Sequence, residues 1–482
     1  MGTNLKAMFY TILLFLFLLT GCTNTKKNQP AVEYETSFIR VSSENPRYFE
    51  TESGKTWIPV MINLIMPNGN EEQVFSRVEN YFKHFSQNGG DAMRIWISSP
   101  FLEIEDTRQG EYNPVKFERI DSILKFAKKY NVRIKFTLQH IRTIKPDGQG
   151  VASWSNRAIL SDQNGGTFED IRQYINTDEG KKNYINRARA LSARYKDTRE
   201  IFSWELWNEM DAVDGEDWYP FSKEILDSIK ILFPNHLVAQ TLGSLHSPDA
   251  DQRYDLFLTM ENNDYFTVHR YLDPGNDWGQ YEHVHGPIDL LVSQAVQFIY
   301  RPGLIKPVVP NEHGAVEGNH AGPNKLYPKD TAGVFIHDMI FAPFFCGASG
   351  CGAMWHWDSY VEKMDLWFHY RRFNNAIESI DPVKEKFIPF TMSSDSIRYY
   401  GVEGEQTTMI WCRDALSNWM TELRDGILPA ARENVFLDLP AGRNYSSAKA
   451  YDPWGDKWIK VKVENNRVAL PPFTRSLVVI AV

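Results

Sequence analysis

The 482-residue chain has four cysteines. Beyond Cys22 near the N-terminus there are Cys346, Cys351 and Cys412, an odd set without metal-ligand spacing. That argues against a disulfide framework and against a zinc site. Cys346 and Cys351 stand among small residues in "FFCGASGCGAM", where buried thiols are expected. Basic residues are also in deficit: Lys and Arg number 52 against 61 Asp and Glu, for a net charge of -9. No Lys/Arg block interrupts this, which argues against a nucleic-acid surface and favours a substrate with few anionic groups. No glycine-rich dinucleotide or phosphate-loop fingerprint follows the first apolar strand, which weakens an open doubly wound sheet. No cluster of ligands calls for a metal or a cofactor, and none is expected.

The apolar run "MFYTILLFLFLL", Met8 to Leu19, is short for a membrane span of about 20 residues. It follows Lys6 and ends in "LTGC", which resembles a bacterial lipobox. The resemblance implies a signal peptide over residues 1–22, with lipidation at Cys22. Residues 23–36 then form a polar tether to a bacterial membrane, periplasmic or cell-surface. An uncleaved anchor followed by a chance cysteine is the alternative.

Downstream, apolar β-rich runs alternate with helix-period runs. "WIPVMINLI", "DAMRIWISS", "VRIKFTLQH", "IFSWELWNE", "HLVAQTLGS", "YFTVHRY", "KPVVPNEHG" and "CGAMWHWDS" each precede an amphipathic segment. Continuous apolar runs are what strands buried on both faces require. The repeat predicts an α/β fold, a (β/α)8 TIM barrel over residues 37–384. A hairpin in "SFIRVSSENPRYFETESGKTWIP" is expected to plug its bottom. From residue 385 to 482 the texture becomes short alternating strands, predicting an antiparallel β-sandwich.

Function in such a barrel sits at the C-terminal strand ends. Read there, the chain offers Asn63, Arg94, Trp96, His140, Asn208-Glu209, His269, Tyr271, Asn311-Glu312, Trp355 and Trp357. Two glutamates on different strands, ringed by Arg, His, Asn, Tyr and Trp, are the equipment of glycoside hydrolysis. "WNE" on the fourth strand, "PNEHG" on the seventh, Arg on the second and His-x-Tyr on the sixth resemble clan A of the glycoside hydrolases. That clan includes family-5 cellulases and mannanases, and "RYFETESGKTWIPVMINL" also resembles the start of their catalytic domains.

The resemblance implies that Glu209 is the acid/base and Glu312 the nucleophile of a retaining double displacement. It implies that Asn208 meets the sugar 2-hydroxyl, that Arg94 keeps Glu312 ionised, and that Tyr271 donates to Glu312. The two carboxyls should stand about 5–5.5 Å apart, and Glu209 should have a raised pKa. His140 and His269 are substrate contacts or core histidines. Trp355 and Trp357 alternate along one strand face, and at least one should floor a sugar subsite. Glu205 is a candidate for a buried polar network. Loop residues Trp154, Asn156, Asp211, Trp218 and Trp278 are subsite walls or hydrophobic plugs.

The expected function is thus hydrolysis of a β-linked oligo- or polysaccharide by a lipid-anchored enzyme. A glycan-binding lipoprotein on an inactive barrel and a transglycosylase are the rivals. Sugar, linkage, and endo or exo action are not legible.

Overall fold

The computed structural model describes residues 37–144, 158–213, 218–246, 248–274, 284–301 and 303–482. Cys22 and the tether lie outside the described residues, as do Trp154, Asn156 and Trp278. The hairpin expected at the start is a three-stranded antiparallel meander of β1 (Ile39–Val41), β2 (Phe49–Thr51) and β3 (Thr56–Trp57). Its Ile39 and Phe49 pack on Met61, Ala92, Phe202, Leu237 and Val309, which stand at or near the starts of the strands that follow. Burial of these apolar side chains closes that end of the sheet to water.

Five parallel strands follow in sheet order: β4 (Met61–Leu64), β5 (Ala92–Trp96), β6 (Arg133–Gln139), β7 (Ile201–Trp207) and β8 (Leu237–Ala239). β9 (Phe266–Leu272) and β10 (Val308–Ala315) form a second parallel pair. Met354 bridges in parallel to both Ile62 of β4 and His313 of β10, so one residue joins the two sets. The seam between β8 and β9 is held by scattered bonds, side chains among them. Asp264 N donates to Val238 O at 3.0 Å, and Thr267 Oγ1 to Gln240 O at 3.1 Å. The eighth strand read from "CGAMWHWDS" is therefore reduced to a bridge at Met354, and Trp357 opens a π-helical turn, Trp357–Glu362.

The helices between the strands begin where capping chemistry allows. In α1 (Glu71–Gln87), Asn70 and Gln73 form a reciprocal capping box. In α2 (Pro114–Tyr130), Asn113 caps, proline occupies the first turn, and Asn131 closes the helix in the left-handed conformation. Then come α3 (Ile171–Asn176), α4 (Asp178–Tyr195), α5 (Trp218–Leu232), α6 (Pro248–Leu258), α7 (Ile288–Tyr300), α8 (Val334–Phe345) and α9 (Phe368–Ile377). α8, "VFIHDMIFAPFF", is buried at every residue, as an all-round apolar helix must be.

The C-terminal region is two antiparallel sheets. The larger has six strands: β11 (Ile388–Ser393), β12 (Ile397–Glu403), β13 (Thr408–Asp414), β19 (Ser476–Ala481), β15 (Ala448–Asp452) and β16 (Lys457–Val461), in that order. The smaller holds β14 (Phe436–Asp438), β18 (Arg467–Ala469) and β17 (Val463–Glu464). Period-two alternation sorts the side chains. Tyr400, Val402, Met409, Trp411, Val478 and Ile480 join the core beneath α8. Tyr399, Ile410, Cys412, Leu477 and Val479 instead pack with Leu437 and Val468 of the smaller sheet. Cys346, Cys351 and Cys412 are free and buried.

Candidate active site

A cavity of about 960 Å³ opens where β5, β7, β9 and β10 end, and Asn208, Glu209, Tyr271, Glu312, Trp355 and Trp357 line it. Beneath Glu312 lies Arg94, fully buried on β5. Arg94 Nε donates to Glu205 Oε2 at 2.9 Å and Nη2 to Glu205 Oε1 at 2.5 Å. Nη2 also reaches Asn208 Oδ1 at 2.7 Å, and Nη1 reaches Asn63 Oδ1 at 3.1 Å. Nη1 is bonded to Glu312 Oε1 as well. The other Glu312 oxygen accepts from the Tyr271 hydroxyl at 2.7 Å, and burial raises that phenol well above its ordinary range. A guanidinium beside a carboxylate favours its ionised form. Glu312 thus has a partner on each oxygen, the guanidinium on one and the phenol on the other.

Asn311 and Glu312 are adjacent yet both engage the interior. The β9/β10 register shifts between Pro310 and Glu312, a bulge that re-aims consecutive side chains. Gly314, two residues on, lies so close to His356 and Tyr271 that a Cβ there would stand 2.8 Å and 2.9 Å from their atoms. The glycine of "NEHG" is what lets the Tyr271 ring lie against β10.

Glu209 follows β7 in the left-handed conformation, φ 49° and ψ 57°. A non-glycine residue held there costs of order 1–3 kcal/mol and is typical of functional turns. Its backbone N–H donates to Thr241 Oγ1 at 3.1 Å. Its Oε1 lies 2.8 Å from His269 Nδ1, and its Oε2 is bonded to Arg142 Nη2, while Arg142 Nη1 reaches the Glu209 carbonyl at 3.1 Å. Burial pushes this carboxyl up, but the His269 hydrogen bond and the Arg142 charge together outweigh it and hold the pKa well below the ordinary value. The raised pKa expected for Glu209 is therefore corrected. Without a bound ligand, Arg142 and His269 keep it ionised.

One oxygen or nitrogen each of Glu209, His269 and Glu312 lie within 4.8 Å of one another. That spacing could admit a cation. However, Arg94 and Arg142 already supply positive charge to the two carboxylates, so the set suits hydrogen bonding better than metal ligation.

Beneath the two glutamates runs a network only half legible from the sequence. Glu205, fully buried, accepts from Arg94, from Lys135 Nζ at 2.8 Å, from Thr241 Oγ1 at 3.0 Å and from Asn311 Nδ2 at 3.2 Å. Burial raises the Glu205 pKa, but the Arg94 and Lys135 charges prevail and hold it far below the usual carboxylate range. Burial in turn lowers the Lys135 ammonium to about 8, against the favourable charge of Glu205.

The remaining candidates divide. Trp355 and Trp357 meet edge to face, ring centroids 5.5 Å apart, and Trp96 packs on Trp355 at 5.2 Å. They form an aromatic wall on the cavity, although Trp357 reaches it from the π-helical turn and not from a strand. His140 is not a wall residue: it stacks behind Trp96 at 4.7 Å, with Nδ1 2.6 Å from Ser98 Oγ. Trp218 is buried and serves as a plug. Asp211 binds Gly243 N at 2.7 Å and Arg253 at 2.8 Å, bracing the turn after Glu209.

No family model matches the chain. It is 24% identical over 184 residues to Endoglucanase C of Acetivibrio thermocellus, covering 37% of this chain and 48% of that protein. It is 24% identical over 238 residues to the "Probable mannan endo-1,4-beta-mannosidase F" of Aspergillus oryzae, 42% of this chain and 46% of the relative. The chain thus spans about half the length of these curated relatives. In structure it resembles a glycoside hydrolase family 5 protein from Bacteroides vulgatus, with a TM-score of 0.58 and 14% identity, over 93% of this chain and 94% of the other. A second structure, titled "Glycoside hydrolase", gives a TM-score of 0.55 at 13% identity over 93% and 97%. These structural likenesses are ones of fold.

Proposed function

We propose that the chain is a glycoside hydrolase of the clan A type, a (β/α)8 barrel cutting β-linked oligo- or polysaccharides with retention. The observation that carries the reading is the pair Glu209 and Glu312. Glu209 just past β7 and Glu312 on β10 have one oxygen each within 4.8 Å, facing a cavity walled by Trp355 and Trp357. Carboxyl oxygens this close suit the nucleophile of a retaining enzyme better than the wider spacing of an inverting one. Names of the relatives, endoglucanase and mannan endo-mannosidase, agree with a β-glycan substrate.

In the first half, Glu312 attacks the anomeric carbon while the glycosidic C–O bond breaks and Glu209 gives its proton to the departing oxygen. In the second, water gives a proton to the Glu209 carboxylate as its oxygen displaces Glu312. Arg94 and Tyr271 hold the two oxygens of Glu312 and aim it, and Asn208, held by Arg94, is placed to meet a sugar hydroxyl. To act as acid, Glu209 must exchange Arg142 for the glycosidic oxygen. The C-terminal sheets form a sandwich domain buttressing the barrel, and residues 1–36 are a lipoprotein signal peptide and tether that anchor it at Cys22 to a bacterial membrane.

The test is Glu312→Gln on aryl β-glycosides and a panel of β-glycans, with product anomers read by NMR. Loss of hydrolysis, with β-products from the wild type, is expected. Undiminished hydrolysis would sink the mechanism. Binding without cleavage of any glycan would make the chain a glycan-binding protein, and products longer than the substrate would make it a transglycosylase.

A further inference from the structure

His269 touches both candidate catalytic carboxylates, and its protonation state decides what it can do for either. Nδ1 lies 2.8 Å from Glu209 Oε1 and 3.5 Å from Glu312 Oε2. Nε2 lies 3.0 Å from Asn311 Nδ2. An imidazole has three states, two neutral tautomers and one cation, and they differ in which nitrogens donate. The surroundings select among them.

The selection starts at Lys135. Its ammonium has three donors and no acceptor. It sits fully buried, 2.8 Å from Glu205 Oε2 and 2.8 Å from Asn311 Oδ1. Only the carbonyl oxygen of Asn311 can face a donor, so the amide nitrogen faces the other way. There it has two neighbours, Glu205 Oε2 at 3.2 Å and His269 Nε2 at 3.0 Å. An amide NH2 donates and cannot accept, so His269 Nε2 must accept and carries no proton. The single ring proton then lies on Nδ1, pointed at Glu209.

Flipping the Asn311 amide would turn its NH2 onto the Lys135 ammonium and its oxygen onto the Glu205 carboxylate, two like-with-like contacts at once. A buried polar group left without a partner costs about 1–3 kcal/mol. The bulge at Asn311 supplies the geometry, since it brings this side chain to the interior beside Glu312.

We infer that Lys135 and Asn311 are positioning residues that lock His269 as the neutral Nδ1–H tautomer, giving Glu209 a permanent hydrogen-bond donor. Neither residue reaches the cavity, and neither touches the two carboxylates that face it. They act through the ring. The locked tautomer has no lone pair on Nδ1, so His269 cannot take the proton of Glu209. It can only donate to the Glu209 carboxylate, the form needed when water is activated. The catalytic part of this inference rests on the hydrolase reading, while the tautomer itself does not.

The test begins with the wild-type protein, ring-labelled with 15N at histidine and without substrate. The His269 signals are assigned by their absence in His269→Gln. One proton-bearing nitrogen, assigned to Nδ1, and a bare Nε2 are expected at neutral pH. A protonated Nε2 would overturn the proposal, whether in the other tautomer or in the cation. The near-isosteric Asn311→Asp then replaces the NH2 donor by an acceptor, and a proton is expected to appear on Nε2. An unchanged pattern in that folded variant would overturn the role of Asn311. On an aryl β-glycoside, a variant in which the proton has moved from Nδ1 to Nε2 should lose about 10–100-fold in kcat with KM little changed, the scale of one hydrogen bond to a charged group. A variant with the altered tautomer and wild-type kcat would overturn the catalytic part. If no glycoside is cleaved by the wild type, the hydrolase reading fails while the spectrum still decides the tautomer.

Discussion

The cleft and the interface with the C-terminal sheet both bury arginine–carboxylate pairs, and they use them differently. Where the C-terminal sheet meets α8, Arg413 gives Nε and Nη2 to the two oxygens of Asp338 at 2.7 and 3.0 Å. Its Nη1 binds the carbonyls of Asp414, Ser417 and Arg475. Nearby, Asp289 of α7 is closed off by Arg398 and by the Tyr400 hydroxyl. In the cleft, Arg94 is instead divided among Glu205, Glu312, Asn63 and Asn208. Glu209, held by Arg142 and His269, keeps 19% of its side chain exposed. At the interface the pairs are saturated by protein and serve only to dock two layers. In the cleft they stop one step short, and the carboxylates left over face a cavity. Buried ion pairs are weak evidence for stability in themselves; what sets the cleft carboxylates apart is that Glu209 and Glu312 line a cavity.

Glu205 blurs that division, and the largest effect should come from it. It lies beneath the site yet is saturated like Asp338. Glu205→Ala leaves Arg94 and Lys135 buried without their anion. An unfolding loss of about 3–5 kcal/mol is expected, together with loss of hydrolysis. Urea denaturation and rate measurements on the folded fraction check both. Asp338→Ala should cost a similar about 3–5 kcal/mol while leaving kcat per folded molecule unchanged. If Asp338→Ala instead reduced kcat, the two regions would not be separable in this way.

Tyr271→Phe sharpens the comparison from the other side. It removes one hydroxyl from Glu312 and no charge. A hydrogen bond to a charged group contributes about 1.5–3 kcal/mol, so kcat should fall about 10–100-fold. The thermal midpoint should barely move, because the ring stays packed against Gly314 and His356. A large drop in that midpoint with kcat intact would place Tyr271 among the structural residues.

How much of this was legible in the sequence follows the same division. Glu209 and Glu312 were readable because each ends an apolar strand run, and strand ends are where such a sheet exposes side chains. The C-terminal strands were readable through period two. Lys135 was missed, although a lysine inside "VRIKFTLQH" is itself a signal, since charged residues are rarely buried without a partner. Its partner Glu205 is legible as a candidate for a buried polar network, but only the fold sets the two strands side by side. Arg142 gave no signal, because it lies three residues past β6, where periodicity has ended. Trp357 was assigned to a strand by alternation that the π-helical turn interrupts. His140 ended a strand as expected, but its ring turned behind Trp96. Strand-end position fixes which residues can reach a cleft; rotamer and neighbours decide which do.

The smallest effect, and the one most particular to this chain, is expected from Arg142→Met. Burial raises the Glu209 pKa, whereas the His269 hydrogen bond and the Arg142 charge lower it and prevail. Removing Arg142 deletes both its charge and its hydrogen bond to the carboxylate, so the pKa must rise. The protonated form of Glu209, which the proposed first half-reaction uses, then persists to higher pH. The alkaline limb of kcat/KM should move upward for substrates with poor leaving groups. An activated aryl glycoside, which needs no proton from Glu209 to depart, should show no gain, because its slow step uses the ionised form that Arg142 favours. The rate change at neutral pH should be only severalfold, and Arg142→Lys should retain most of the wild-type profile. An alkaline limb that stays in place in Arg142→Met would mean that the arginine braces the turn after β7 through the Glu209 carbonyl and leaves its titration to His269.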